Sequence, residues 1–477
     1  MLTIWLRKPM PRLTTGGFRL SVACLAIVAT ATATSAPRSE TLADALVTAL
    51  ETSPDLAANR AALRQLDENV AQARSGKRPT VDGSLSAGVD LTNTKTNRNG
   101  VFAPENDRDI DTDVTLGVTG SQNLFDFGET ENAVKSALSD RDGGRFDLLE
   151  VEQQVLRSAV NAYVNVLNSQ ERVAISQNNV RVIERELVAS QDRFDVGEVT
   201  RTDVAQARSR LAQAQSDLVS NKGLLGQARK AYVRAIGVAP EALAPVPPLP
   251  DLPQSLAEAE AIAERSHPRI ESVRQDIKSA EFGIEEAKAA TLPSIDLGSD
   301  LAAQANRGSG RSDVFSAGAD ITATMPFYRG GVLRSQVRAR QALEAQRRAE
   351  LFDVTRDVLE EVGIAWEELT TARAVIIASR AQIEAAEIAF EGVKEEANVG
   401  SRTTLDVLDA EQELLDARLS LVDARSDEYI AGYRLLAAVG VLTATHLGLA
   451  IEPYDPDEDY RAAQEIYLGW PEDDEKD

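Results

Sequence analysis

The chain is 477 residues long but only 5% aromatic, and Ala, Leu and Val carry its apolar content; this composition argues against a compact core of large side chains and for long helices packed through small residues. Lys+Arg 51 against Asp+Glu 75 gives a net charge of -24, which argues against nucleic-acid binding and against docking on anionic cytoplasmic lipid. One cysteine and two histidines that stand alone offer no cluster at metal-ligand spacing and no nucleophile beside a base, so no catalytic residue, metal or cofactor is expected.

Residues 1–36 read as a secretory signal: basic residues ending at Arg19, an apolar run from Leu20 to about Ala31, then small residues through Ala36. The run is too short to cross a bilayer as a stable helix, and no later window offers about 18 uninterrupted apolar residues. An uncleaved anchor is the alternative. Cys24 lies inside the run and is expected to leave with it, so the exported chain would carry no thiol.

From Thr41 onward, Leu42, Ala45, Leu46, Ala49 and Leu50 recur at helical spacing until Pro54 interrupts, and the pattern resumes to about Gly76. The same arrangement returns from Ser255, with Pro268 in the place of Pro54 and Pro293 in the place of Pro79. The chain is thus a tandem duplication, repeat 1 over 40–254 and repeat 2 over 255–452. An acidic tail follows at 453–477; from Glu452 it holds 11 acidic and 2 basic residues and is expected to be a solvated extension.

After Pro79 and Pro293 the period changes from 3.6 to 2. Leu85, Ala87, Val89 and Leu91 alternate with Ser84, Ser86, Gly88 and Asp90, and Val114, Leu116 and Val118 answer them across a Gly/Asn/Asp-rich loop at 92–111. In repeat 2, Ile295, Leu297 and Leu301 are answered by Ala317, Ala319, Ile321 and Ala323. Each repeat therefore holds one β-hairpin, at about 80–125 and about 293–327, with strands of about ten residues, the length a tilted strand needs to cross a bilayer. Phe125, Phe127, Phe327 and Tyr328 close the outgoing strands, where an interfacial girdle would sit. A soluble sandwich is the alternative, and four strands are too few for one.

Two proline-free stretches, about 128–196 and about 331–399, predict helices about 100 Å long at ~1.5 Å per residue. Each ends at a glycine, Gly197 or Gly400, suited to the left-handed position of a hairpin tip turn; Thr200 or Thr202, and Thr403 or Thr404, can cap the return helices at about 200–236 and about 403–439. Two seams run along the second return helix. Leu405, Leu408, Gln412 and Leu415 form one; Val407, Ala410, Leu414 and Ala417 form the other on the opposite side, so a neighbour is expected on each flank, as in the wall of a tube.

With signal, duplication, hairpins and tips in place, the sequence resembles the TolC family of outer-membrane export ducts from Thr41 to about Ala450. The resemblance is carried by Gly-Ser-Arg-Thr-Thr-Leu-Asp-Val-Leu-Asp-Ala at 400–410, by the paired Pro54 and Pro268, and by the strand-to-helix exits Leu124-Phe125-Asp126-Phe127-Gly128 and Pro326-Phe327-Tyr328-Arg329-Gly330-Gly331. It implies a mainly α fold with a membrane β-barrel portion: a homotrimer that gives twelve strands to one barrel and its coiled-coil helices to one periplasmic α-helical barrel. It also implies an outer-membrane location reaching into the periplasm, and passive conduction in a tripartite efflux or type I secretion system. The partners would be a periplasmic adaptor (a membrane fusion protein) and an inner-membrane pump.

By the same resemblance Asp406 and Asp409 form the pore constriction, where crowding would push carboxylates toward protonation. Arg402 and Asp203 form the tip gate link, while Ala397 stands where the family has a tip tyrosine. From the residues alone, Asp406 and Asp409 read first as favourable carboxylates at a helix N-terminus and no more. A coiled-coil adaptor or filament protein without a pore is the alternative for the whole chain; it leaves two β-hairpins at equivalent places in two repeats without a purpose.

Overall fold

The structure, a computed structural model, describes residues 39–94, 97–98, 101–102, 107–307, 311–452 and 454–465; the expected signal and Cys24 lie outside the described residues. Repeat 1 consists of α1 (Leu42–Thr52), α2 (Pro54–Ser75), β1 (Thr80–Thr94), a short ribbon of β2 (Asn97–Arg98) and β3 (Val101–Phe102), β4 (Asp107–Phe125), α3 (Glu129–Asp195) and α4 (Arg201–Ile236). Repeat 2 consists of α5 (Leu256–Ser266), α6 (Pro268–Ala289), β5 (Ser294–Asn306), β6 (Ser312–Thr324), α7 (Val332–Asn398) and α8 (Thr404–Val439). Helix for helix the two copies have the same lengths: 11, 22, 67 and 36 residues.

The breaks follow from proline. Pro54 and Pro268 open α2 and α6, where a missing N–H costs nothing, while the same ring cannot be accommodated as a continuation of α1 or α5. Ser53 caps α2 by accepting the Leu56 N–H at 3.3 Å. In repeat 2 the cap is His267, whose Nδ1 accepts the Arg269 N–H at 3.2 Å. The imidazole is 2% exposed, and burial together with Arg269 pushes its pKa down to about 4, which keeps the accepting nitrogen unprotonated.

The four long strands form one antiparallel sheet in the order β1-β4-β5-β6. The register aligns Leu85 with Leu116, Leu116 with Ala303 and Ala303 with Phe315, so one face carries an apolar row across all four strands. Leu85, Leu116 and Phe315 on it are 73%, 57% and 74% exposed in the single chain, which marks the face as one that meets an apolar medium. The other face sets carboxylates over glycines: Asp113 beside Gly88 and Asp320 beside Gly298, where a Cβ would fall 2.6 Å from each carboxylate oxygen.

The strands are longer than the expected ten residues: 15 in β1, 19 in β4 and 13 in each of β5 and β6. Pairing continues through Thr92 with Asp109 and Thr94 with Asp107, inside the segment read as a loop. Backbone pairing needs only N–H and C=O groups; apolar alternation ends where the apolar surroundings end, and the ladder runs on past it.

Apolar burial is concentrated where α1, α3 and α4 meet the C-terminal part of α8. Leu46 of α1, Leu156, Val160 and Tyr163 of α3, Tyr232 and Ile236 of α4 and Leu436 of α8 form one core. The Tyr163 hydroxyl donates to the Ala244 carbonyl at 2.7 Å and that of Tyr232 to Glu40 Oε1 at 2.7 Å, fastening the chain before α1 to the linker after α4. A second core joins α5, α7 and α8 through Ala259, Ala263, Val358, Val362 and Leu435; the alanines allow close helix approach. Among the described residues no helix is long and apolar enough to cross a membrane.

The acidic tail differs from the expected solvated extension over its described part. Residues Pro456–Glu465 form α9, which lies on α2. Its Asp457 accepts from Arg141 Nη2 at 2.8 Å, and the Tyr460 ring centroid lies 3.9 Å from the Arg141 guanidinium carbon. Arg141 is buried against Asp67, and the tail supplies it with a further carboxylate and an aromatic cover.

Candidate functional site

The two hairpin tips are built alike from the residues up. Gly197 and Gly400 both have φ +81, a conformation that an L side chain disfavours. Past each glycine the chain folds back onto the helix it has left: the Glu198 N–H donates to the Arg193 carbonyl at 2.8 Å, and the Ser401 N–H to the Glu396 carbonyl at 2.9 Å. A capping box then starts the return helix. The Thr200 hydroxyl accepts the Asp203 N–H at 3.3 Å while Asp203 Oδ2 accepts the Thr200 N–H at 2.7 Å; Thr403 and Asp406 repeat the exchange at 3.3 and 2.9 Å. Thr404, the other candidate cap in repeat 2, is buried instead.

Asp203 and Asp406 thus hold equivalent places, each tied to its own cap. The bonds that the Thr403 backbone N–H and hydroxyl donate hold the Asp406 carboxyl below the usual carboxylate range, the opposite direction from the crowding expected at a ring of carboxylates. Asp409, one turn further along α8, pairs with Arg210 of α4 at 2.5 Å. Arg402 pairs with Glu396 across its own turn at 2.8 Å. Asp203 and Arg402 line one hollow of about 530 Å³ between the two tips, together with Ala397. Among the described residues the bonds that cross from the first tip to the second are Arg210 to Asp409 and Arg193 to Asn398, at 3.3 Å; the Arg402–Asp203 pair is not made within the chain.

Two groups further along α8 were not singled out from the sequence. Arg172 grips Asp423 of α8 with two bonds, at 2.8 and 2.7 Å, and Asn168 donates to the same carboxylate at 3.1 Å. Glu411 stands 7% exposed on the α8 stripe between Leu408 and Leu414. An acidic residue inside an apolar helical stripe was the available signal; the arginines carried none, because their partners lie about 200 or more positions away in sequence. Charged groups at a helix tip can select and repel ions, and nothing in this arrangement activates a nucleophile.

A sheet with an exposed apolar face, left open at both edges and continuous with 67-residue helices, defines the class: a channel protein whose β portion lies in a membrane and whose helices extend beyond it. The chain belongs to the outer membrane efflux protein family, whose model matches residues 45–238 and 261–441, one stretch in each repeat. It is 35% identical over 436 residues to the outer membrane efflux protein BepC of Brucella suis biovar 1, covering 90% of this chain and 92% of that protein. It is 26% identical over 370 residues to the alkaline protease secretion protein AprF of Pseudomonas aeruginosa, covering 75% of each. The fold matches the crystal structure of the Campylobacter jejuni CmeC outer membrane channel with a TM-score of 0.71 at 18% identity, over 89% of each chain. The protein is an outer-membrane efflux channel, and the pore-free filament reading is set aside.

Proposed function

We propose that three copies of the chain form one duct, the exit component of a tripartite efflux or type I secretion system. A periplasmic adaptor and an inner-membrane pump engage the hairpin tips, and substrate passes by passive conduction to the exterior. The supporting observation is the sheet: β1 and β6 each present a whole strand, 15 and 13 residues, with one edge unpaired, and copies of the same chain provide the edges that would close it. Cargo is chosen by the pump.

The entrance is at the tips, where Asp406 and Asp409 face the axis and Asp203 and Arg402 act across the junction of the two hairpins. Such a ring favours cations and invites block by multivalent ones. Planar-bilayer conductance of wild type against Asp406→Ala/Asp409→Ala tests it: the double variant is expected to conduct more and to lose block by divalent cations. Identical conductance and identical block would sink the assignment.

A further inference from the structure

Where α8 docks on the first hairpin, the seam is apolar except at one point. Leu408 inserts among Val180 and Ile183 of α3 and Ala207 and Ala214 of α4. Glu411 follows on the same stripe of α8 and is 7% exposed, close to Leu414 at 6%; its Oε2 is shielded from solvent and, among the described residues, has no hydrogen-bond partner. The carboxyl lies at a cleft of about 580 Å³ between α3, α7 and α8, whose lining includes Glu171, Glu387, Phe390 and Leu414.

Burial outweighs the charged groups around the carboxyl, of which Glu186 opposes ionisation and Lys394, Arg185 and Arg418 favour it. From α3 come Arg185 and Glu186, which oppose each other; from α7 comes Lys394; and Arg418 of α8 is occupied by Glu387 at 2.8 Å. On α4, Arg210 is bound to Asp409. An unpaired buried charge is relieved in one of two ways: the group takes a proton, or it leaves the seam for water.

We propose that Glu411 is a protonation switch for the entrance: neutral, it lets α8 stay docked on α3 and α4; ionised, it favours separation of the second hairpin from the first. This rests on the reading of the tips as the entrance and adds to it the group that sets how readily they part. Burial, reinforced by Glu186, raises the Glu411 pKa to about 7. In the separated state the side chain is in water and returns to the ordinary glutamate value, so the docked state binds the proton more tightly. Docking is therefore strengthened as pH falls from about 7 toward the ordinary value, and that strengthening is lost as pH rises through about 7. Between pH 8 and pH 5.5 the docked-to-separated ratio changes on the order of tenfold per chain.

The test is single-channel conductance of the purified full-length protein at pH 5.5, 6.5, 7.5 and 8.5, for wild type, Glu411→Gln and Asp406→Asn/Asp409→Asn. Glu411→Gln keeps the shape of the side chain, and its assembly is checked by heat-modifiable migration and circular dichroism. The expected result is wild-type conductance that rises with pH, a flat and low profile for Glu411→Gln, and a pH-dependent profile retained in Asp406→Asn/Asp409→Asn with its block altered. A wild type without pH dependence, a correctly assembled Glu411→Gln that titrates like wild type, or a dependence abolished by the aspartate double variant overturns the switch. If the aspartate variant changes conductance or block while Glu411→Gln matches wild type, the switch alone fails; if neither variant differs from wild type, the entrance reading fails with it.

Discussion

Asp406 carries two duties, and the difference matters for any experiment on it. It completes the capping box of α8 as well as standing at the proposed constriction. A substitution that removes the carboxylate also weakens the start of α8, because it takes away one half of the reciprocal capping exchange with Thr403. Thr403→Ala is the control: it is expected to reproduce the loss of thermal stability without changing cation block, whereas Asp406→Ala changes both. Arg210 is the residue to pair with it. Arg210→Ala leaves Asp409 without its cation and unties α4 from α8, and is expected to raise both open probability and divalent block. The pair is partly exposed, so its contribution is about 0.2–1 kcal/mol, up to about fivefold in the opening equilibrium per chain. Bilayer recording of Arg210→Asp/Asp409→Arg checks the tie, because reversal restores the link and should return open probability toward wild type. The place of Asp406 at the start of α8 was legible in the sequence because the tip motif is contiguous; Arg210 was not, because nothing local brings α4 beside α8.

At the scale of elements, proline and glycine make the helices readable. Pro54, Pro268, Gly197 and Gly400 each forbid or end a particular backbone conformation, and α1 to α8 start or stop at them or close by. The full strand lengths were not readable, since a polar ladder leaves no alternation to follow. Nor was α9, because its docking depends on Arg141, a single residue far away in sequence. In that contact the two carboxylates respond oppositely. The attraction of Arg141 and Arg145 holds Asp457 below the usual range, while burial outweighs the same arginine at Asp67 and raises it. Asp67 is the dependent partner: it is 2% exposed and cannot turn to water. Arg141→Met is therefore expected to destabilise the protein by about 3 kcal/mol, with Asp67→Asn/Arg141→Met recovering much of it, since removing one member of a buried pair costs more than replacing both. Melting of the purified variants followed by circular dichroism measures this; equal melting of the single and double variants would contradict it.

For the whole molecule, the deciding feature is that neither the sheet nor the rods are complete in one chain. Among the described residues the sheet ends in two unpaired edges, and α7 shows Val375, Ile377 and Ile388 to solvent at 42%, 71% and 68%. Alternation in sequence made the two faces of the sheet legible, and the register adds which residues share a row. That row makes a sharp comparison possible between adjacent positions on one strand. Leu116 lies on the apolar face beside Leu85 and Ala303, and Thr115 on the polar face beside Ser86 and Gln304. If the apolar face meets lipid, Leu116→Arg costs about 2–4 kcal/mol near the bilayer midplane. It should sharply lower recovery of assembled protein from outer-membrane fractions. Thr115→Arg, one residue away, should assemble at wild-type levels and instead reduce conductance by placing a cation in the aqueous interior. Equal recovery of the two variants would mean that the sheet's apolar face is covered by protein rather than lipid, and the closed barrel of three chains would have to be replaced by a different assembly.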